Sequence, residues 1–192
     1  YMDSYCVDGT EYLREGAFRL VVMKTDCDPW GMNRCGYREE LGSFQLMEEK
    51  EGSRYSGTLN ERHAGEGCQI PSIRIIEDGP VRRVIEAVFG YGNSQAYIRY
   101  YLPVKGTKVK TEVRVNWAEK GAFLKLELPT ALRPTAALAE TAYGVMTHEC
   151  DGREKVFHRW CGLFDERAGK ALTVINKGNY GVDFLEGTMR IS

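Results

Sequence analysis

The side chains best suited to chemistry are sparse in this sequence. Its six cysteines (Cys6, Cys27, Cys35, Cys68, Cys150, Cys161) and three histidines (His63, His148, His158) form no CxxC pair and no zinc-like spacing. His148, Glu149 and Cys150 are consecutive, but neighbours on a strand point to opposite faces, so the three cannot converge as a nucleophile and its base. No Gly-x-Ser-x-Gly nucleophile elbow occurs. Gly90-Tyr91-Gly92 is too short for a phosphate loop and lies between two strand patterns rather than opening a helix. Carboxylates are plentiful, but they fall on faces that read as solvated or in the charge run Glu48-Glu49-Lys50-Glu51. We assign no catalytic residue and no metal ligand.

The remaining candidates are binding groups. Tyr97, Arg99 and Tyr101 share one strand face, and an aromatic row of this kind either stacks on the apolar side of a sugar ring or packs on a second sheet. Trp30 lies in a loop with two glycines and Pro29, as a sugar contact or as a plug beneath its own loop. His158 and Trp160 read as a core pair on one strand face. The loop Asn176-Lys177-Gly178-Asn179-Tyr180-Gly181 places two amides and a tyrosine on glycine-shaped backbone, where loops carry function more readily than strands do.

Strands must position these groups. From Thr107 to Trp117 the pattern alternates, with Thr107, Val109, Thr111, Val113, Val115 and Trp117 on one face. Such a strand would run about 35 Å at ~3.3 Å per residue, and we expect it to be central in a large sheet. After Ala118-Glu119-Lys120-Gly121 a second run puts Leu124, Leu126 and Leu128 inward and Lys125 and Glu127 outward, which reads as a hairpin with the first. Upstream, alternating runs end in Ile75, Phe89 and Leu102, separated by Asp78-Gly79-Pro80 and Gly90-Tyr91-Gly92-Asn93. Phe18–Met23 is a further strand, Arg38–Glu51 a short helix or a strand, and Gly52–Gly67 loop-like. Downstream, Leu132–Thr141 is Ala-rich enough for a helical turn, which Pro129 and Pro134 limit. Ala142–Glu149, Val156–Phe164 and Ala171–Ile175 read as strands, and Val182–Leu185 with Met189–Ile191 as a final hairpin. Strands punctuated by turns, without long amphipathic helices, predict an all-β fold: a large antiparallel β-sandwich.

Charge excludes some partners. Lys and Arg number 26 against 27 Asp and Glu, for a net charge of −1. Nucleic acid and anionic membrane both call for a concentrated basic surface, so neither is expected. No apolar run reaches the length of a membrane span. A chain of this size builds a core without disulfides, so we expect reduced thiols and a cytoplasmic location. The chain begins at Tyr1 and ends within the pattern Arg190-Ile191-Ser192, and we read it as a piece truncated at both ends: a leading segment 1–26 and a β-sandwich domain 27–192.

Five stretches, in order, resemble the C-terminal region of glycoside hydrolase family 38 α-mannosidases. They are Asp28-Pro29-Trp30-Gly31 with the Gly-Ser-Phe segment after it; Glu77-Asp78-Gly79-Pro80-Val81-Arg82-Arg83-Val84; Val115-Asn116-Trp117-Ala118-Glu119-Lys120 with Leu124-Lys125-Leu126 and Pro129; His158-Arg159-Trp160; and Asn176 through Asp183 with Met189-Arg190-Ile191-Ser192. The resemblance implies a galactose-mutarotase-like supersandwich behind a separate catalytic domain that holds a nucleophilic Asp and zinc. That parent would cleave α-mannosides with retention through a covalent intermediate. The resemblance also implies that β-domain loops border the cleft, with Asn176, Tyr180 and Asp183 nearest to it. Where family members often carry an acid after the Asn, this chain has Lys177. The expectation is a non-catalytic β-sandwich portion of an α-mannosidase, inactive by itself and free of cofactor. Its partners would be the catalytic domain of the same chain and mannose-containing carbohydrate. An independent carbohydrate-binding module is the alternative.

Overall fold

A computed structural model describes residues 2–25, 37–48 and 71–192. All of its regular structure is β, and no described residue is helical. β1 (Cys6–Val7) and β2 (Thr10–Glu11) form a hairpin around Asp8 and Gly9, both in the left-handed region at φ 49° and 75°. The Glu11 carboxylate ties this segment together by accepting the backbone N–H groups of Tyr5, Tyr12 and Leu13 at 2.6, 3.1 and 3.1 Å. β3 (Arg19–Lys24) buries Leu20 through Met23 in an unbroken run and pairs with β4 (Glu40–Ser43) across a register shift at Val22/Met23. Residues buried on both faces of a strand lose the period-2 signal, and β3 is such a case. Contacts divide the chain into two units, Tyr1–Ser43 with Gly121–Ser192 and Phe44–Lys120.

The second unit is an antiparallel sheet of β5 (Gln45–Leu46), β6 (Ile73–Asp78), β7 (Arg82–Tyr91), β8 (Ser94–Pro103) and β9 (Lys110–Asn116). β7 lies beside β8 and pairs with both β5 and β6, and β8 pairs with β9. The β7–β8 turn is set by Gly92 at φ 53° and by Glu119, whose Oε1 accepts from Asn93 N at 2.8 Å and Ser94 Oγ at 3.0 Å. Phe44 is fully buried and stacks near Tyr91 and Trp117, with centroids 5.9 and 6.4 Å away.

Two expectations about this region are corrected. The strand expected over Thr107–Trp117 spans only Lys110–Asn116 and lies at the sheet edge, not its centre. Bends at residues 104–107, with Gly106 at φ 100°, keep Thr107, Lys108 and Val109 out of the ladder. Val113 and Val115 remain 36% and 38% exposed, as suits an edge strand with a half-covered face. The hairpin with the following strand does not form: β9 pairs with β8, whereas β10 (Ala122–Pro129) pairs with β3 and β17 (Thr188–Ile191) of the first unit. Alternation reports which face a residue is on; it carries no information about which strand lies alongside.

The first unit is a two-sheet sandwich. Its remaining strands are β11 (Ala136–Thr141), β12 (Gly144–His148), β13 (Lys155–Val156), β14 (Trp160–Asp165), β15 (Lys170–Ile175) and β16 (Gly181–Leu185). One sheet runs β13-β16-β17-β10-β3-β4 and the other β12-β11-β14-β15, all pairs antiparallel. Leu128, Val182, Phe184, Met189 and Ile191 from the first pack with Ala137, Ala139, Cys161 and Leu163 from the second. The helical turn expected within Leu132–Thr141 does not form: residues 132–135 are irregular. The rest of the stretch is β11, whose alternating Ala137 and Ala139 are fully buried between the sheets, where larger side chains would hold them apart. Trp160 is not a core residue. The inward positions of β14 are Cys161 and Leu163; Trp160 is half-buried and meets Phe164 edge-on at 6.4 Å, while His158 is exposed ahead of the strand. The final hairpin matches its expectation. It turns through Glu186 and Gly187 at φ 48° and 73°, two consecutive left-handed residues as a type I′ turn demands.

Candidate functional site

The glycine-shaped loop leads from β15 into β16 and is held at both ends. Asn176 donates its backbone N–H to Arg159 O at 2.9 Å and its side-chain Nδ2 to Asn179 O at 2.8 Å, closing the loop on itself. Its Oδ1 is buried with no hydrogen-bond partner among the described residues. Tyr180 accepts the Phe157 N–H on its carbonyl at 2.9 Å while its side chain stands 59% exposed. Gly178, at φ 115°, lets the chain reverse between them.

Asp183 has a different setting from its loop neighbours. It is fully buried on β16, on the face of the six-stranded sheet away from the sandwich core, and its carboxylate is shared by two cations. Lys125 Nζ on β10 donates to Oδ2 at 2.5 Å, and Arg190 Nε on β17 donates to Oδ1 at 2.8 Å. Lys125 also pairs with Glu154. Register explains the assembly: Asp183 lies opposite Arg190, Arg190 opposite Glu127, and Glu127 opposite Arg19, which pairs with Glu40 at 2.5 Å. A charge-alternating row thus crosses the sheet. Lys125, read from sequence as outward and wet, has 0% exposure. It does face away from the sandwich core, but that face is covered: Tyr37 and Phe123 pack against each other at 4.4 Å, and the ammonium lies 5.9 and 5.6 Å from their ring centres. Lys125, Glu154 and Arg190 were not singled out from sequence. The available signal was the wide separation in sequence of opposite charges at matching strand positions.

A cavity of about 410 Å³ adjoins this cluster, lined by Met146 and His148 of β12, Glu154, Lys155 and Val156 around β13, Thr141 and His158. His148 lies nearly parallel to the core ring of Phe184, with centroids 6.2 Å apart and planes at 20°. Burial, with the Lys155 charge adding to it, holds its imidazole below the usual histidine range, so it is neutral near pH 7. Neutral imidazole beside apolar Met146 and Val156 can hydrogen-bond an uncharged polar ligand.

The tyrosine row lies in the second unit. Tyr97 is half-buried between Val88 and Arg114 in register. Tyr101 donates its hydroxyl to Glu112 Oε2 at 2.8 Å, and its ring is approached by Lys110 Nζ at 4.6 Å and the Arg82 guanidinium at 5.3 Å. Cations already use its π face, which leaves less ring for a sugar. Arg99 belongs to a second charge row, Arg74, Glu86, Arg99 and Glu112, in register across four strands. Glu86, 2% exposed, receives Arg74 Nη2 at 2.7 Å and Arg99 Nε at 2.7 Å. Desolvation pushes its carboxyl up, but the two guanidiniums outweigh it and hold the group below the usual carboxylate range.

Trp30 lies outside the described residues, as do His63, Cys27, Cys35 and Cys68. Among the described residues Cys6, Cys150 and Cys161 are free thiols, with Cys161 pushed up to about 12 by burial. No three His, Cys, Asp or Glu side chains among the described residues are placed to hold a metal ion, so zinc does not fit them.

Residues 38–192 match the model of the glycosyl hydrolases family 38 C-terminal domain. No curated protein matches the chain.

Proposed function

The chain belongs to glycoside hydrolase family 38 as its C-terminal domain, and on that premise we propose that it is a non-catalytic β-sandwich portion of an α-mannosidase. Its work is to pack on the catalytic domain of the same protein and to border the cleft with the Asn176–Asp183 loop. One observation carries this reading beyond the family match. The buried carboxylates Asp183 and Glu86 are each clamped by two cations. A general acid for glycoside cleavage needs a carboxyl raised toward neutrality, and a nucleophile needs open approach to the sugar. Carboxylates fixed by Lys125, Arg190, Arg74 and Arg99 organise sheets instead.

In this reading Asp183 acts from behind the loop, as its anchor, and Asn176 and Tyr180 are the groups that meet mannose-containing carbohydrate. The exposed Tyr180 ring supplies a stacking face; Asn176 Oδ1 has no partner among the described residues but is buried, so it accepts from a sugar only where the loop opens to it. The parent's zinc and nucleophile belong to the catalytic domain.

The test is an assay of the purified chain with an aryl α-mannoside and added zinc, beside a titration with mannose and mannobiose. No turnover and no heat of binding is the expected result. Turnover above background overturns the non-catalytic reading. Saturable heat that is lost in Tyr180→Ala replaces it with an independent carbohydrate-binding module.

A further inference from the structure

Acids account for most of the described arginines. Arg19, Arg74, Arg82, Arg83, Arg99, Arg153, Arg159 and Arg190 each hold an Asp or Glu. Arg14, Arg38, Arg114, Arg133 and Arg167 hold none among the described residues, and three of these five, Arg14, Arg133 and Arg167, line one cavity of about 680 Å³ in the first unit. Arg14 follows β2, Arg133 lies between β10 and β11, and Arg167 lies in the β14–β15 turn. Among the described residues Glu186 is the one acid on the wall, so the lining is net positive. Cys150, also on the wall, adds no charge near neutral pH, because burial and the neighbouring Asp151 push its thiol up.

The backbone that brings these arginines together is pinned by bonds that leave two of the guanidiniums unused. Asp165, 8% exposed, accepts Arg133 N at 3.2 Å on Oδ2 and Ala168 N at 3.0 Å on Oδ1, so one carboxylate brackets both the Arg133 loop and the Arg167 turn. Thr135 and Glu166 join the same two segments, at 3.0 Å between side chains and 3.3 Å from Glu166 N to Thr135 Oγ1. Thr130 N donates to Gly187 O at 2.8 Å, fixing the β16–β17 turn against them. Arg14 is itself oriented, its Nη2 donating to Glu186 O at 3.0 Å and Thr188 Oγ1 at 3.2 Å.

Like charges gathered on a fixed frame repel unless an anion joins them. A guanidinium presents a rigid planar fork of donors that matches phosphate and sulfate oxygens two at a time. The volume lies within the ~300–1,000 Å³ usual for small-molecule sites and exceeds what a bare oxyanion fills. We propose that this cavity binds a small molecule bearing a dianionic oxyanion, a phosphate or sulfate monoester, with Arg133 and Arg167 gripping the oxyanion and Arg14 holding its rim. The site is separate from the loop assigned to carbohydrate and stands whether or not that assignment does.

Calorimetry of the 192-residue chain at low salt decides it, with inorganic phosphate, inorganic sulfate, a hexose 6-phosphate and the parent hexose as probes. The hexose phosphate should bind at least about tenfold more tightly than the hexose and weaken as salt rises. The two inorganic ions show which oxyanion is preferred. Arg133→Gln with Arg167→Gln should lower the affinity by about tenfold or more, and Arg114→Gln, on β9 of the other unit, should leave it unchanged. Neither Arg133 nor Arg167 holds a side-chain hydrogen bond among the described residues, so circular dichroism should show the double variant folded. Four results each overturn the proposal: no saturable heat from any anion, equal affinity for hexose and hexose phosphate, undiminished binding by the folded double variant, or an equal loss in Arg114→Gln.

Discussion

Lys125 and Asp183, on β10 and β16 and separated by β17, meet with Nζ 2.5 Å from Oδ2 and neither side chain exposed to solvent. The two ends of the pair are not equally replaceable. Asp183 serves both Lys125 and Arg190, whereas Lys125 retains Glu154 if Asp183 is lost. Removing the carboxylate charge takes from Arg190, only 12% exposed, its ion-pair partner, and breaking a buried pair in this way costs about 3–5 kcal/mol. Asp183→Asn should therefore destabilise the chain by about that amount. Lys125→Met keeps the Asp183–Arg190 pair and an apolar stem against Tyr37 and Phe123, so it should cost under about 2 kcal/mol. Urea unfolding of both variants checks the order, and a larger loss for Lys125→Met would refute it.

Glu86 sets an acid limit. Its folded carboxyl lies below the unfolded value of 4.5: desolvation raises it, and hydrogen bonds and charge from Arg99 and Arg74 more than reverse that. A depressed carboxyl contributes stability above the unfolded value and loses it as pH falls through the folded one. Glu86→Gln should be less stable than the parent at pH 7 and should lose less further stability below pH 4.5, so the two curves converge on acidification. Thermal melts across the acid range measure this. Parallel curves would show that Glu86 carries no acid-linked stability.

His148 acts at a higher pH and in the same direction. Burial first, and Lys155 second, hold its folded imidazole below the unfolded 6.5. As pH falls below 6.5 the unfolded chain takes up the proton first, and stability declines until the folded ring protonates as well. His148→Gln should flatten the stability profile between neutral pH and the carboxylate range. A profile there identical to the parent's would mean that His148 protonates freely in the folded state.

These groups differ in how far the sequence discloses them. The runs through Phe89 and Leu102 were legible because one turn, Gly92-Asn93, separates them, and each inward residue has its partner at the same distance beyond that turn. By the same symmetry Glu86 falls opposite Arg99, so the hairpin register encodes that pair, whereas alternation alone shows Glu86 only as one more acid on a wet face. Lys125 is another matter. Alternation placed it away from the sandwich core, but what covers that face is Tyr37, 88 positions upstream, with Phe123 and Glu154. Phe123 lies on β10 itself, two residues before Lys125, but nothing local to β10 encodes the arrival of Tyr37 and Glu154. The edge position of β9 failed for the same reason, since regular alternation is shared by edge and central strands. The Asn176 loop was legible as a loop because Gly178 and Gly181 interrupt the strand pattern. That Asp183 is buried beside it, on the sheet face away from the core, depends on Lys125 and Arg190, which come from two other strands.

Gly162 tests the packing of the first unit. It lies on β14 between the buried Cys161 and Leu163, with ordinary backbone φ, so conformation alone does not call for glycine. Space does: a Cβ there would lie 2.9 Å from Leu172 O, 2.9 Å from Thr173 Oγ1 and 3.1 Å from Phe164 Cε2. Leu172 O is backbone of the neighbouring strand β15, which pairs with β14 from Trp160 through Asp165 and cannot swing aside as a side-chain end can. Gly162→Ala should push the two strands apart and cost about 1–3 kcal/mol, the usual range for overpacking. Gly144, at the start of β12, also has an ordinary φ, and a Cβ added there would meet nothing within 4 Å. Gly144→Ala should be neutral or slightly stabilising, because alanine reduces the freedom of the unfolded chain. Denaturant midpoints of the two variants compare a site limited by contact with one limited by nothing. Equal midpoints would show that β15 yields at Leu172, and that the close approach of the two strands is not what holds this sheet in register.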